Sequence, residues 1–143
     1  MKKILVIHGP NLHLLGKRQP AIYGKTTLKQ INAELLKIAK RRKVALTIKQ
    51  TNVEGEIVNL ITKNKHRYQG LLINPAAYTH TSVAIRDAIV ASGIPTVEVH
   101  LSNIYMREEF RQKSLISGVA KGTVLGFGPK SYILGLEALI DII

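Results

Sequence analysis

The chain has 143 residues, the length of one domain, and no cysteine, which removes disulfides, thiolate nucleophiles and cysteine–zinc sites. Hydrophobic residues make up 45% and charged residues 21%, the balance of a folded globular chain rather than a disordered one. The formal charge of +12 belongs to the first half: residues 1–69 hold fifteen lysines and arginines against Glu34, Glu54 and Glu56, whereas residues 70–143 hold six bases and six acids. No apolar run reaches the length of a membrane span, and the run at 4–7 stops at His8, too short for a signal-peptide core. A soluble, cytoplasmic protein with no membrane partner is expected.

Residues 4–7 are branched and apolar and predict a strand, followed by a loop over 9–25 punctuated by glycine and proline. Thr26 or Thr27 caps a helix running to about Arg42, with Leu28, Ile31, Leu35 and Ile38 at helical spacing. Its end carries Lys40-Arg41-Arg42-Lys43, where cations suit the helix dipole. The competing reading of that run, a nucleic-acid patch, lacks the interleaved aromatics such surfaces use.

A second strand is expected at 44–48 and a second helix from Glu54 to about Lys63, carrying Ile57, Leu60 and Ile61. A third strand at 71–73 precedes a helix from Thr79 or His80 to Ser92, closed by Gly93 and Pro95. The fourth strand falls at 96–99, a short helix at 107–113, the fifth strand at 122–127, and a last helix at 132–142 capped by Ser131. Strands of near-continuous apolar character separated by helices imply a parallel sheet covered on both faces. Five such repeats predict an α/β flavodoxin-like, doubly wound fold, with helices on both faces and a single domain over residues 1–143.

In such sheets the site lies beyond the carboxyl ends of the strands, near the reversal of strand order. Three strands end in polar clusters: His8-Gly9-Pro10-Asn11, then Asn74-Pro75 with Tyr78-Thr79-His80-Thr81-Ser82, then Glu98-Val99-His100-Leu101-Ser102-Asn103. All three belong on one rim. Glu98 and His100 share strand parity and face the same side, and a carboxylate inside an apolar strand requires a partner. A structural hydrogen bond explains Glu98 as well as catalysis does at this point. His80 and Asp87 lie two helical turns apart, although a lone Asp87 is more often a surface residue. The five histidines form no His-x-x-x-His pair or carboxylate triad, so a metal is discounted. Gly9, Gly16 and Gly24 do not fit a dinucleotide fingerprint, and Pro10 interrupts where its helix would begin. A long loop with Lys17, Arg18 and Tyr23 has the shape of an active-site lid over about 16–25, with an ordinary surface loop as the plain alternative.

Taken together these segments resemble the type II 3-dehydroquinate dehydratases. The matching runs are Gly9-Pro10-Asn11-Leu12 through Tyr23-Gly24, Asn74-Pro75-Ala76-Ala77-Tyr78-Thr79-His80-Thr81-Ser82 with Arg86-Asp87-Ala88, Glu98 to Asn103 with Arg107-Glu108-Glu109-Phe110-Arg111, and Gly126-Phe127-Gly128. They follow in order over essentially the whole chain. The resemblance implies dehydration of 3-dehydroquinate to 3-dehydroshikimate through an enolate, in aromatic biosynthesis or in quinate breakdown. It implies no cofactor, no metal and no Schiff-base lysine. It also implies a homododecamer, a tetramer of trimers.

Residue by residue, the resemblance makes Tyr23 the base as a phenolate and Arg18 the cation that favours it. His100 matches the acid for the departing hydroxyl, Glu98 the carboxylate behind it, and Asn11 the residue holding a water at the enolate oxygen. Asn74, His80 and Arg111 match substrate contacts, and the backbone amides of Leu101 and Ser102 a carboxylate-binding pair. Asp87 resembles a residue reaching the neighbouring subunit's site. Departures fall at His13, Gln19, Val53 and Ala76, none of them at a catalytic position. A nucleotide-binding module and a basic nucleic-acid-binding protein remain as alternatives. The first lacks a phosphate-cradling loop, and the second leaves the polar rim unexplained.

Overall fold

The computed structural model describes residues 1–17 and 19–143, with Tyr23 described by its backbone alone. Arg18 and the Tyr23 side chain, both predicted site groups, therefore lie outside the described residues. Strands β1 (Lys3–His8), β2 (Ala45–Gln50), β3 (Gly70–Asn74), β4 (Thr96–His100) and β5 (Gly122–Leu125) form one parallel sheet in the order β2-β1-β3-β4-β5. The chain reverses direction across the sheet between β1 and β3, which makes their carboxyl ends the switch point. Both β3 and β4 are buried along their whole length, which is why their sequences are apolar rather than alternating.

Alternate side chains feed two cores. Ile4 and Val6 of β1, Leu72 of β3 and Val97 and Val99 of β4 pack against α2 (Leu28–Arg42) and α5 (Lys130–Ile142). Leu5, Ile7, Leu71 and Ile73 pack on the opposite face against α3 (Glu54–Thr62) and α4 (Val83–Ser92). Each helix supplies a stripe at helical spacing: Ile31, Leu35 and Ile38 from α2, Ile57 and Ile61 from α3, and Ile85 and Ile89 from α4. Ile57 and Ile61 are fully enclosed, so cutting either to alanine costs about 2–5 kcal/mol. Helix α5 approaches the sheet so closely that a Cβ on Gly135 would lie 2.4 Å from Val99 Cγ1.

The helix ends obey local chemistry. Thr27 and Gln30 form a capping box at the start of α2, and Lys43 closes it in the left-handed region at φ 56°. The basic run sits at that end, where Arg41 and Arg42 engage Glu137 and Asp141 of α5.

Four details differ from the sequence reading. The loop expected over 9–25 contains a 3-10 turn at Leu12–Leu14 and the short helix α1 (Pro20–Tyr23), which Pro20 starts from the first helical position. Helix α4 begins after Ser82, whose hydroxyl accepts from the Ile85 amide at 2.9 Å, not at Thr79 or His80. Those two residues occupy a separate 3-10 turn, Ala76–His80, so His80 and Asp87 do not share a helix face. The expected helix at 107–113 is reduced to the turn Glu109–Arg111. Ser131 lies inside α5 rather than before it, and its hydroxyl accepts from the Phe127 amide at 3.0 Å.

Candidate active site

Beyond the carboxyl ends of β1, β3 and β4 lies a cavity of about 230 Å³. Seven residues singled out in the sequence line it: Asn11, Asn74, His80, His100, Leu101, Ser102 and Arg111. They come from three separate strand ends, and parallel strand register is what brings them together.

The first wall is built by close backbone approach. Gly9 donates its amide to the Asn74 carbonyl at 2.8 Å, and a Cβ on Gly9 would fall 2.5 Å from the Pro75 oxygen. Only glycine lets the β1 and β3 ends meet this tightly. Asn11 follows in the left-handed region at φ 69°, with its amide bonded to Asn52 Oδ1 at 3.0 Å. The Asn52 carbonyl in turn accepts from the Tyr78 hydroxyl at 2.7 Å, which ties the loops after β1, β2 and β3 together.

The opposite wall stands on Glu98. Its side chain is fully buried, on the α3/α4 side of β4, and His100 lies two residues on with the same parity. His100 Nε2 meets Glu98 Oε2 at 2.6 Å. Thr79 Oγ1 donates to the same carboxylate at 2.7 Å, Ser114 Oγ at 2.9 Å, and Ser117 Oγ also donates to it. Burial alone would raise this carboxyl's pKa. Hydrogen bonds from His100, Ser117 and Thr79 and the histidine's charge outweigh it and hold the group at about 2. Glu98 is therefore an ionised carboxylate that orients Nε2 of His100 and leaves Nδ1 for the cavity. The 107–119 segment that supplies the serines is fastened by three carbonyls: Lys113 to His80 Nδ1, Leu115 to Arg86, and Thr79 to the Leu115 amide.

Arg111 lies over the Phe110 ring, 5.0 Å from its centroid, and its Nε donates to Glu108 at 2.6 Å. Arg107, which the sequence reading did not single out as a site residue, also lines the cavity and reaches Ser102 Oγ at 3.4 Å. Asp87 does not join them: it is exposed on α4, away from this cavity. Thr79 was read only as part of the rim cluster, and Ser114, Ser117 and Asn52 were missed. Their only sequence signal is a small polar residue beside a motif, which is too common to single out. No group of three or more histidines and carboxylates able to hold a metal occurs among the described residues.

The dehydroquinase class II family model matches residues 2–140. A 3-dehydroquinate dehydratase of Trichodesmium erythraeum is 58% identical over 138 residues, covering 96% of this chain and 92% of the relative. Another, from Geotalea daltonii, is 55% identical over 139 residues, covering 97% and 96%. The crystal structure of a type II dehydroquinase from Butyrivibrio crossotus superposes with a TM-score of 0.93 at 41% identity, covering 96% of this chain and 97% of that one. Family model, near-full-length relatives and fold agree: the chain belongs to the class II dehydroquinase family.

Proposed function

We propose that this protein is a 3-dehydroquinate dehydratase, a hydro-lyase that removes water from 3-dehydroquinate to give 3-dehydroshikimate. The observation that carries the reading is the buried Glu98–His100 pair, its histidine lining a cavity of mixed polar and apolar side chains on the switch-point rim, in a chain of this family. The reaction needs a base for the proton beside the ketone, an acid for the leaving oxygen, a donor at the enolate oxygen and a clamp for the carboxylate.

The residues divide that work. Tyr23 as phenolate takes the proton from the carbon next to the carbonyl, and the electron pair moves into the enolate. A phenol of pKa about 10 requires a cation to do this near neutrality, and Arg18 supplies it from the same lid over about 16–25. A water held by Asn11 donates to the enolate oxygen. The enolate then collapses and breaks the bond to the β-hydroxyl, which leaves as water with a proton from His100. Glu98 accepts from Nε2 of His100 and fixes the ring for that transfer. Asn74, His80 and Arg111 hold the substrate's hydroxyl and carboxylate groups, and the backbone amides of Leu101 and Ser102 receive the carboxylate. His80 donates through Nδ1 to the Lys113 carbonyl, so its Nε2 is an acceptor for a substrate hydroxyl.

The same proposal includes a homododecamer, a tetramer of trimers, with Asp87 reaching the neighbouring subunit's site. Its support is the exposure of Asp87 on α4 and the exposed apolar side chains of Tyr105, Met106 and Phe110 beside the cavity. It places the enzyme in the cytoplasm, in the shikimate pathway of aromatic amino-acid biosynthesis, with quinate breakdown as the alternative use of one reaction. Among the described residues no helix is long and apolar enough to cross a membrane. The test is an ultraviolet assay for the conjugated enone formed from 3-dehydroquinate, run with a chelator present. Steady production supports the reading, and no product overturns it.

A further inference from the structure

Thr79 is set against both members of the Glu98–His100 pair, a placement that holding the carboxylate alone does not require. It is fully buried in the turn Ala76–His80. Register brings it there: Ile73 of β3 pairs with Glu98 of β4, so the turn that follows β3 passes over the end of β4. That turn is tied down on two sides. The Thr79 carbonyl accepts from the Leu115 amide at 2.8 Å, and the Tyr78 hydroxyl donates to the Asn52 carbonyl at 2.7 Å. Within this frame Thr79 Oγ1 lies 2.7 Å from Glu98 Oε2 and 3.3 Å from His100 Nε2, while Oε2 and Nε2 are 2.6 Å apart. The three atoms close a triangle.

Counting protons orients each side of it. Glu98 is ionised and only accepts, so the single hydroxyl proton of Thr79 points at Oε2. The lone pairs of the Thr79 oxygen then face His100. Nε2 is bracketed by two acceptors and must itself carry a proton. Turning the ring over would put a carbon where Nε2 stands and forfeit both contacts. Ser114 secures the far side: its Oγ lies 3.0 and 2.9 Å from the two carboxylate oxygens, which keeps Oε2 in the triangle. His100 lines the cavity, and the nitrogen left to face it is Nδ1.

We propose that Thr79 is a positioning residue for the general acid: its buried hydroxyl, bonded to Glu98 and set against His100, holds the ring so that Nε2 keeps one proton and Nδ1 delivers the other. This rests on the dehydratase reading, because that reading makes His100 the acid. In the elimination the imidazolium gives its Nδ1 proton to the departing hydroxyl, which leaves as water. The ring returns to the neutral form protonated on Nε2, the form the triangle accepts. Thr79 itself exchanges no proton with substrate.

The test compares wild type with Thr79→Ser, Thr79→Val and Thr79→Ala, which separate the hydroxyl from the methyl group. Steady-state kinetics with 3-dehydroquinate are joined to nitrogen NMR of the histidine rings, with His100 assigned by the signal lost in His100→Ala. Loss of the hydroxyl in Thr79→Val and Thr79→Ala should lower kcat roughly ten- to a hundredfold, the effect of one hydrogen bond to a charged group, with KM within about threefold. Both should also show His100 losing its single Nε2-protonated form. Thr79→Ser restores the hydroxyl and should recover kcat and that form. Because Thr79 acts through the ring, Thr79→Val added to His100→Ala should not lower the residual rate further. The Ser and Ala variants give the hydroxyl comparison even where Thr79→Val fails to fold. Variants that sort by the methyl group, a rise in KM alone, an unchanged His100 signal in Thr79→Val and Thr79→Ala, or multiplied losses in the double variant would overturn the role of Thr79 in an active enzyme. A wild type that forms no enone instead overturns the dehydratase reading, and the acid's positioning with it.

Discussion

Replacing Glu98 by glutamine keeps the side chain's shape and removes its charge. The carboxylate accepts from Thr79, Ser114, Ser117 and His100 with no exposure to water. An amide offers one acceptor oxygen and brings N–H donors to a place where hydroxyls already donate. The group is held at about 2 against an ordinary 4.5, because its hydrogen bonds and the His100 charge overcome burial. A carboxyl lowered on folding stabilises the protein above its unfolded value, and that stabilisation is lost as the pH falls through the folded value. The window is thus about 4.5 down to 2, and the amount is about 3 kcal/mol. Urea unfolding of wild type and Glu98→Gln, from pH 7 to pH 2 at one protein concentration, reads it directly. Wild type should lead by at least about 3 kcal/mol at neutral pH, with the lead shrinking by that amount by pH 2. General acid repulsion acts on both proteins and cancels in the difference. A gap that does not change with pH would refute the assignment of Glu98 as a buried anion.

Three other substitutions probe different parts of the site. His100→Ala should lower kcat by about 10²–10⁴-fold with a smaller change in KM, as steady-state kinetics will show, since an acid for the leaving oxygen acts in the transition state. Ala76 holds φ +52° without being glycine, so Ala76→Gly should raise unfolding stability in urea by about 0.5–1 kcal/mol. Asp87→Ala should lower activity and loosen the proposed trimer in sedimentation run across protein dilution, whereas an exposed aspartate without a partner would be silent within about 0.5 kcal/mol.

The parallel sheet and the rim were legible because β3 and β4 are buried on both faces and therefore read as unbroken apolar runs ending in polar residues. Strand parity also predicted that Glu98 and His100 face one way, and they bond. Where long-range contacts decide, the pattern failed. Thr79 has the chemistry of a helix cap, but its hydroxyl is used by Glu98, and Ser82 caps α4 in its place. Ser131 caps nothing because its hydroxyl turns back to the Phe127 amide. Ser114 and Ser117 lie in a stretch of turns with no period to read, and only the carboxylate beneath them gives them a role. His8 reads as one more polar strand end, yet its partner Tyr132 is 124 residues away.

The proposed division of labour between the lid and the rim is tested most directly by solvent exchange. Wild type, Tyr23→Phe and His100→Ala are incubated with 3-dehydroquinate in heavy water, and recovered substrate and enone are analysed by mass spectrometry. His100→Ala, with its base intact, should place deuterium on the carbon beside the ketone while forming little enone. Tyr23→Phe should do neither. Exchange at the wild-type rate in Tyr23→Phe, or none in His100→Ala, would contradict a reaction that starts at the lid tyrosine and ends at the rim histidine.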